Sequence, residues 1–207
     1  MEKLEVNRLY NLDCMEGMKQ MPDKYFELAI VDPPYGLGDK KLTSGGTWAS
    51  KYKTGDAKWD IAPTEEYFNE LFRVSQNQII WGGNYFSLSP TRCFIIWDKI
   101  SHMPTMADCE YAWTSFDRNA KIAKFPRNTS EKRIHICQKP VDLYKWTLYN
   151  FASKGDKILD THVGSASSLI ACYDMGFDYL GFEVDEECYN LSSNRIDEYQ
   201  AQTRLPI

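Results

Sequence analysis

No run of eighteen apolar residues occurs in the 207-residue chain, so no helix long and apolar enough to cross a bilayer is expected. The opening Met1-Glu2-Lys3-Leu4-Glu5 also lacks the character of a secretory signal, and the expectation is a soluble, cytoplasmic protein. The cysteines, at positions 14, 93, 109, 137, 172 and 188, include no C-x-x-C pair. That spacing argues against zinc and disulfides and for free thiols in a reducing compartment, so no metal site is expected. A G-x-G-x-x-G turn is missing as well, which counts against a pyrophosphate cofactor such as a nicotinamide dinucleotide. Nor is there an overall excess of positive charge: the net charge of −5 argues against non-specific binding of a polyanion by the whole surface.

What is present suits one α/β domain spanning 1–207, with 43% hydrophobic and 14% aromatic residues, enough for one well-buried core. Charge is unevenly distributed. Arg118, Lys121, Lys124, Arg127, Lys132, Arg133 and Lys139 are opposed in their segment only by Glu131, whereas from Asp174 to Glu198 only Arg195 is basic among the acids. Such asymmetry orients a polyanion onto one face. A segment at about 36–62, rich in Gly, Ser, Thr and Lys, has no apolar periodicity and is expected to be a mobile loop. Its Lys40, Lys41, Lys51 and Lys53 are candidates for phosphate contact.

The chain is organised around Leu28-Ala29-Ile30-Val31-Asp32-Pro33-Pro34-Tyr35-Gly36. Four apolar residues ending in a carboxylate, two prolines and an aromatic ring read as a buried parallel strand with a stiff polar tip at its C-terminal end. Both prolines have φ near −65° and no N–H, so the carbonyls of Asp32 and Pro33 are aimed by covalent geometry. Two such acceptors are able to grip the hydrogens of a conjugated amine and favour a pyramidal nitrogen with its lone pair exposed. Adenine carries such an amine, and Tyr35 is placed to stack on its ring. The chemistry needs preorganised dipoles more than a strong base.

Asp32-Pro33-Pro34-Tyr35 resembles the catalytic motif of the amino methyltransferases, which move a methyl group from S-adenosylmethionine (AdoMet) to an adenine or cytosine amine. Downstream, His135-Ile136-Cys137-Gln138-Lys139-Pro140 is similar to the family's run that introduces the cofactor half. The resemblance makes Lys139 a candidate for holding the methionine carboxylate, while His135 is equally read as structural. Then Lys157 to Glu183 reads as strand, turn, helix and strand ending in an acid, the layout of a nucleotide-binding βαβ unit. Glu183 stands where a ribose diol is gripped. Against the family's D-P-F-x-G-S-G, Asp160, Gly164 and Ser165 correspond, Thr161 and His162 replace Pro and Phe, Val163 fills the free position, and Ala166 replaces the second glycine. Alanine disfavours φ > 0, so the turn is expected to enter its helix promptly. By position, Asp13 and the adjoining Cys14 match the acid beside the cofactor, and Asp13 is equally a helix N-cap.

The catalytic motif precedes the cofactor motif, an order that looks like the β-type circular permutation of DNA amino methyltransferases, over roughly residues 6 to 199. The resemblance implies a Rossmann-like sheet, mostly parallel with one antiparallel strand, with helices on both faces. It also implies base flipping from double-stranded DNA, with Asp32, Pro33, Pro34 and Tyr35 catalytic. AdoMet is then held by Asp13, Cys14, Asp32, Lys139, Asp160, His162, Val163, Gly164, Ser165, Ala166 and Glu183. DNA contacts are expected from the four loop lysines and from a small basic insertion at about 117–134, through Arg118, Lys121, Lys124, Arg127, Lys132 and Arg133. Adenine is favoured over cytosine because DPPY is commoner among adenine enzymes. Two readings stay beside this one, an exocyclic-amine cytosine methyltransferase and a non-catalytic AdoMet- or DNA-binding subunit whose cofactor turn has decayed. A second copy of the chain and a restriction endonuclease of the same system are candidate partners.

Overall fold

The computed structural model describes residues 4–37, 60–100, 107–127, 133–134 and 137–203. Among them eight strands form one sheet: β1 (Arg8–Asn11), β2 (Phe26–Val31), β3 (Ser75–Trp81), β4 (Phe94–Asp98), β5 (Cys109–Thr114), β6 (Lys121–Lys124), β7 (Lys157–Asp160) and β8 (Asp178–Glu183). Their order is β1-β8-β7-β2-β3-β5-β4-β6. Every pairing is parallel except those of β5 with β3 and with β4, so β5 is the single antiparallel strand, in keeping with the sheet the resemblance implies.

Helices α1 (Cys14–Lys19), α2 (Glu65–Val74), α3 (Val141–Phe151), α4 (Ser167–Met175) and α5 (Glu186–Thr203) cover both faces. The apolar run of β2 explains why both must be covered, since successive side chains point to opposite sides. Leu28 and Ile30 join a core with Leu143 and Leu148 of α3 and Leu169 and Ile170 of α4. Ala29 and Val31 join a second core with Met18 of α1 and Tyr67, Phe68, Leu71 and Val74 of α2.

The basic segment is not simply an insertion. Lys121-Ile122-Ala123-Lys124 is the edge strand β6, with Ala123 buried and Ile122 exposed. A four-residue strand with lysines at both ends is the short, charged kind of edge that resists further pairing, and it leaves almost no sequence signature. In α5, Ile196 is buried and Leu191 exposed, and the buried position beside Leu191 belongs to Ser192.

Register brings the C-terminal ends of the parallel strands to one edge. Asp160 lies opposite Gly181, so Glu183 projects two residues beyond it on one side. Leu159 lies opposite Ala29, so Asp32 projects equally far on the other. With strands about 4.8 Å apart and a rise of about 3.3 Å per residue, the Asp32 and Asp160 backbones are about 8 Å apart. Asn11 pairs with Glu183, which brings Asp13 to the same edge two strands further out.

Candidate active site

The tip after β2 is held from several directions. The Tyr35 hydroxyl donates to Asp32 Oδ1 at 2.7 Å, and the Lys139 ammonium donates to Asp32 Oδ2 at 2.5 Å. The Tyr35 ring lies directly against Gly82, where a Cβ would come within 2.1 Å of the ring. Gly82 has φ +68°, a left-handed turn that only glycine adopts at no steric cost. Its role is thus to seat the tyrosine. Tyr85 stacks on Tyr35 with centroids 5.0 Å apart and planes 21° from parallel, and the residue is 48% exposed. Gly36 N–H donates to Asp60 Oδ1 at 2.9 Å, joining the two described ends of the segment between them.

Lys139 is held at the Asp32 tip. Its side chain, 3% exposed, also meets Glu110 Oε2 at 3.1 Å and lies over the Trp81 ring at 5.2 Å. Glu110 Oε1 in turn meets Lys99 Nζ at 2.8 Å. Two carboxylates and two ammonium groups thus form one compensated cluster beneath the tip. Burial raises the Glu110 pKa, but Lys139 and then Lys99 outweigh it and bring the group down to about 2. The Lys139 ammonium, in spite of burial, is held above its ordinary pKa by Asp32 and Glu110. Topology explains the meeting: β5 runs against its neighbours, so its first residues reach the edge where β4 ends. Neither Glu110 nor Lys99 stood out in the sequence; an acid near the start of an alternating strand was the only trace.

The turn after β7 forms the second half. The Asp160 carboxylate accepts from the His162 N–H at 3.0 Å and from the Ser168 hydroxyl. Burial outweighs both bonds, aided by the charges of Asp32 and Glu183, and pushes Asp160 up to about 7. Gly164 N–H donates to Glu183 Oε2 at 2.9 Å, and Asp185 N–H to Glu183 Oε1 at 3.0 Å. Burial raises the Glu183 pKa as well. Val163 is buried with its N–H on the Phe182 carbonyl. Ala166, fully buried, takes φ +62° and ψ +18° at the N-cap of α4. The expectation of prompt entry into the helix is therefore corrected: alanine holds the left-handed position at a cost of roughly 1–2 kcal/mol.

Helix α5 clamps this turn from behind, a role its sequence did not disclose. The Ser192 hydroxyl donates to the Gly164 carbonyl. Arg195 donates to the Ser165 carbonyl at 2.5 Å and to the Ser167 hydroxyl at 3.0 Å. Asp13 is the N-cap of α1, accepting from Met15 N–H at 2.8 Å, and its charge also reaches His162. Cys14 is half-buried and pushed to about 12 by burial, then by Asp13 and Glu183, which leaves an inert thiol.

The basic candidates are divided by the fold. Arg118 precedes β6, stacks on Phe116 at 4.9 Å and donates to the Asn150 carbonyl near the end of α3. It and Lys121 therefore lie at the edge opposite the site. Lys124 and Arg127 follow the strand to the catalytic edge, where Lys124 lies 3.9 Å from Asp98 and the charge of Arg127 is felt at Cys137. Lys40, Lys41, Lys51, Lys53 and Lys132, together with His135, lie outside the described residues, while Arg133 lies within them. No cluster of three or more His, Cys, Asp or Glu able to hold a metal is found among the described residues, and no described helix is long and apolar enough to cross a membrane.

A family model described as DNA methylase matches residues 80–194, more than half of the chain. The chain is 21% identical to Type II methyltransferase M1.MboII of Moraxella bovis over 90% of its own length and 95% of that protein. It is also 21% identical to Type II methyltransferase M.HpaI of Haemophilus parainfluenzae, over 92% of this chain and 74% of the relative. Among solved structures, the M1.HpyAVI complex with SAM superposes with a TM-score of 0.56 at 19% identity, covering 91% of this chain and 98% of the other. PvuII DNA methyltransferase, described as cytosine-N4-specific, gives a TM-score of 0.63 at 12% identity, covering 96% and 92%. At such identities the structural likeness concerns the fold.

Proposed function

The chain belongs to the N6/N4 DNA methylase family, and from that premise we propose that it transfers the methyl group of AdoMet to the exocyclic amine of adenine in double-stranded DNA. One observation carries the reading. The Asp32 tip and the Asp160–Glu183 turn stand on adjoining strands at one sheet edge, about 8 Å apart by strand geometry. That spacing suits a nucleobase nitrogen held against the sulfonium methyl, with methyl donor and acceptor in line.

In this reading the cofactor lies over the turn, its ribose diol on Glu183 and its positive groups near Asp160; it supplies the electrophilic methyl. Pro33 and Pro34 fix the tip, and the Pro33 carbonyl and Asp32 accept from the amine of the flipped base. Asp32 Oδ1 and Oδ2 each already accept one bond, and a carboxylate oxygen has room for a second. The base stacks at Tyr35, whose partner Tyr85 offers the exposed ring of the pair. Lys124 and Arg127 are the described basic residues at this edge suited to backbone phosphates, and Arg133 joins them by sequence position. A second copy of the chain and a restriction endonuclease of the same system are the proposed protein partners.

The test is to incubate the protein with DNA and AdoMet, digest the DNA to nucleosides and separate N6-methyladenosine from N4-methylcytidine by mass spectrometry. The adenine product is expected. Asp32→Ala should still bind AdoMet, because the turn from Asp160 to Glu183 is untouched, yet give no product. N4-methylcytidine would replace the adenine assignment, and no product despite AdoMet binding would favour a non-catalytic subunit.

A further inference from the structure

His162 stands at the centre of the cofactor turn and has a specific set of partners. Its Nδ1 lies 2.9 Å from Thr161 Oγ1, which lies 2.6 Å from the Tyr67 hydroxyl of α2. Both hydroxyl-bearing side chains are buried, Thr161 at 2% and Tyr67 at 4% exposure. Two hydroxyl hydrogens and one ring hydrogen have to be placed, and one arrangement gives both hydroxyl hydrogens a partner. Tyr67 O–H donates to Thr161, and Thr161 O–H donates to His162 Nδ1, which must then be the unprotonated nitrogen. If Nδ1 carried the proton it would donate to Thr161. The Thr161 hydrogen would then turn to Tyr67, and the Tyr67 hydrogen, deep in the core, would have no acceptor, at a cost of about 1–3 kcal/mol.

The proton left to the ring is therefore on Nε2. Among the described residues that atom makes no hydrogen bond, and the one buried side-chain polar atom without a partner there is Trp81 Nε1. The free N–H thus opens to solvent at the turn. Burial, opposed by the Asp13 charge, keeps the His162 pKa at about 4, so the ring is neutral at neutral pH.

The surroundings indicate which acceptor this donor suits. AdoMet carries one anion, the methionyl carboxylate, and the acids around the turn, Asp13, Asp160 and Glu183, are suited to its cationic and hydroxyl groups instead. Lys139, the cation expected to take the carboxylate, is occupied by Asp32 and Glu110. Four of the turn's backbone N–H groups, those of His162, Val163, Gly164 and Ala166, are spent inside the protein, which leaves that of Ser165 in the same turn. We propose that the buried Tyr67–Thr161 hydroxyl pair locks His162 in its Nε2–H tautomer, and that this N–H binds the methionyl carboxylate of AdoMet. The assignment rests on the cofactor reading above and deepens it.

Two measurements test it. In protein labelled with 15N-histidine, long-range 15N–1H correlation should show His162 as the pure Nε2–H tautomer, and Thr161→Val, which removes the hydroxyl that donates to Nδ1, should introduce the Nδ1–H form. A wild-type ring protonated on Nδ1 overturns the lock. Calorimetry then compares AdoMet with decarboxylated AdoMet, which lacks only the carboxylate. The wild type should prefer AdoMet, and His162→Phe should lose about tenfold of that preference. His162→Gln, whose amide N–H reaches the same place as Nε2–H, should keep it. Equal weakening of both ligands by His162→Phe overturns the carboxylate contact alone, since the ring then only fills space. Failure of the wild type to bind AdoMet at all overturns the cofactor reading with it, and leaves the tautomer spectrum standing by itself.

Discussion

Replacing Lys139 by methionine tests the cluster on which the Asp32 tip rests. Methionine keeps the length and flexibility of the stem and deletes the ammonium. The structure then loses the contacts at 2.5 Å to Asp32 and 3.1 Å to Glu110 from a position only 3% exposed. Breaking a buried pair by removing one partner costs about 3–5 kcal/mol. Glu110 keeps Lys99 at 2.8 Å, and its side chain is 26% exposed, which places the expected loss at the lower end, about 3 kcal/mol. For a domain of this size that corresponds to a fall of roughly 6–12 °C in Tm. The pH dependence has a definite sign. Glu110 falls from 4.5 to about 2 on folding, so its stabilisation is complete above pH 4.5 and is lost as pH falls toward 2. Urea unfolding at pH 7.5 and across this acid window should therefore show a gap between wild type and Lys139→Met that closes with acidification. A loss under about 0.5 kcal/mol at pH 7.5, coupled to loss of AdoMet binding, would refute the reasoning and return Lys139 to the cofactor carboxylate.

Two further outcomes are expected. Asp160 is raised from 3.8 to about 7 chiefly by burial, so its folded form retains a proton that the unfolded chain has released, and stability falls as pH rises through that interval. Asp160→Asn removes this cost, and urea unfolding should find the variant gaining on the wild type by up to about 4 kcal/mol from acid to neutral pH, then running parallel to it; a constant difference would show that the carboxyl is ionised throughout. Arg195→Met removes the donors to the Ser165 carbonyl and the Ser167 hydroxyl. It should weaken AdoMet binding by about fivefold to tenfold in calorimetry with a stability loss of about 1–2 kcal/mol; unchanged affinity would mean that the turn keeps its shape without the clamp.

How much could be read from residues alone depends on how far apart the partners are in the chain. The Asp32 tip was legible because an apolar run, two prolines and a ring are contiguous, and each acts through its own covalent geometry. The span from Asp160 to Glu183 was legible because strand, turn and helix carry distinct periodicities. Lys139 was legible as a residue but not through its partners: nothing local says that its ammonium reaches Asp32 across more than a hundred positions. Glu110 and Lys99 escaped notice because only the reversed direction of β5 brings them under the tip. Ser192 and Arg195 sit on a helix whose acidic, amphipathic pattern reads as packing, and the Tyr67 hydroxyl was concealed within an apolar stripe.

By itself the sequence determined the α/β class and the candidate site at the ends of its strands, because patterning, prolines and turn residues act within a few positions of one another. The three-dimensional fold decided which charges compensate one another, which hydroxyl sets the state of His162, which basic residues face the site, and that Ala166 takes a left-handed conformation. Those outcomes depend on strand order, strand direction and burial. These arise only when distant segments pack, and it is burial that turns an ordinary hydrogen bond or charge into one that the rest of the molecule must satisfy.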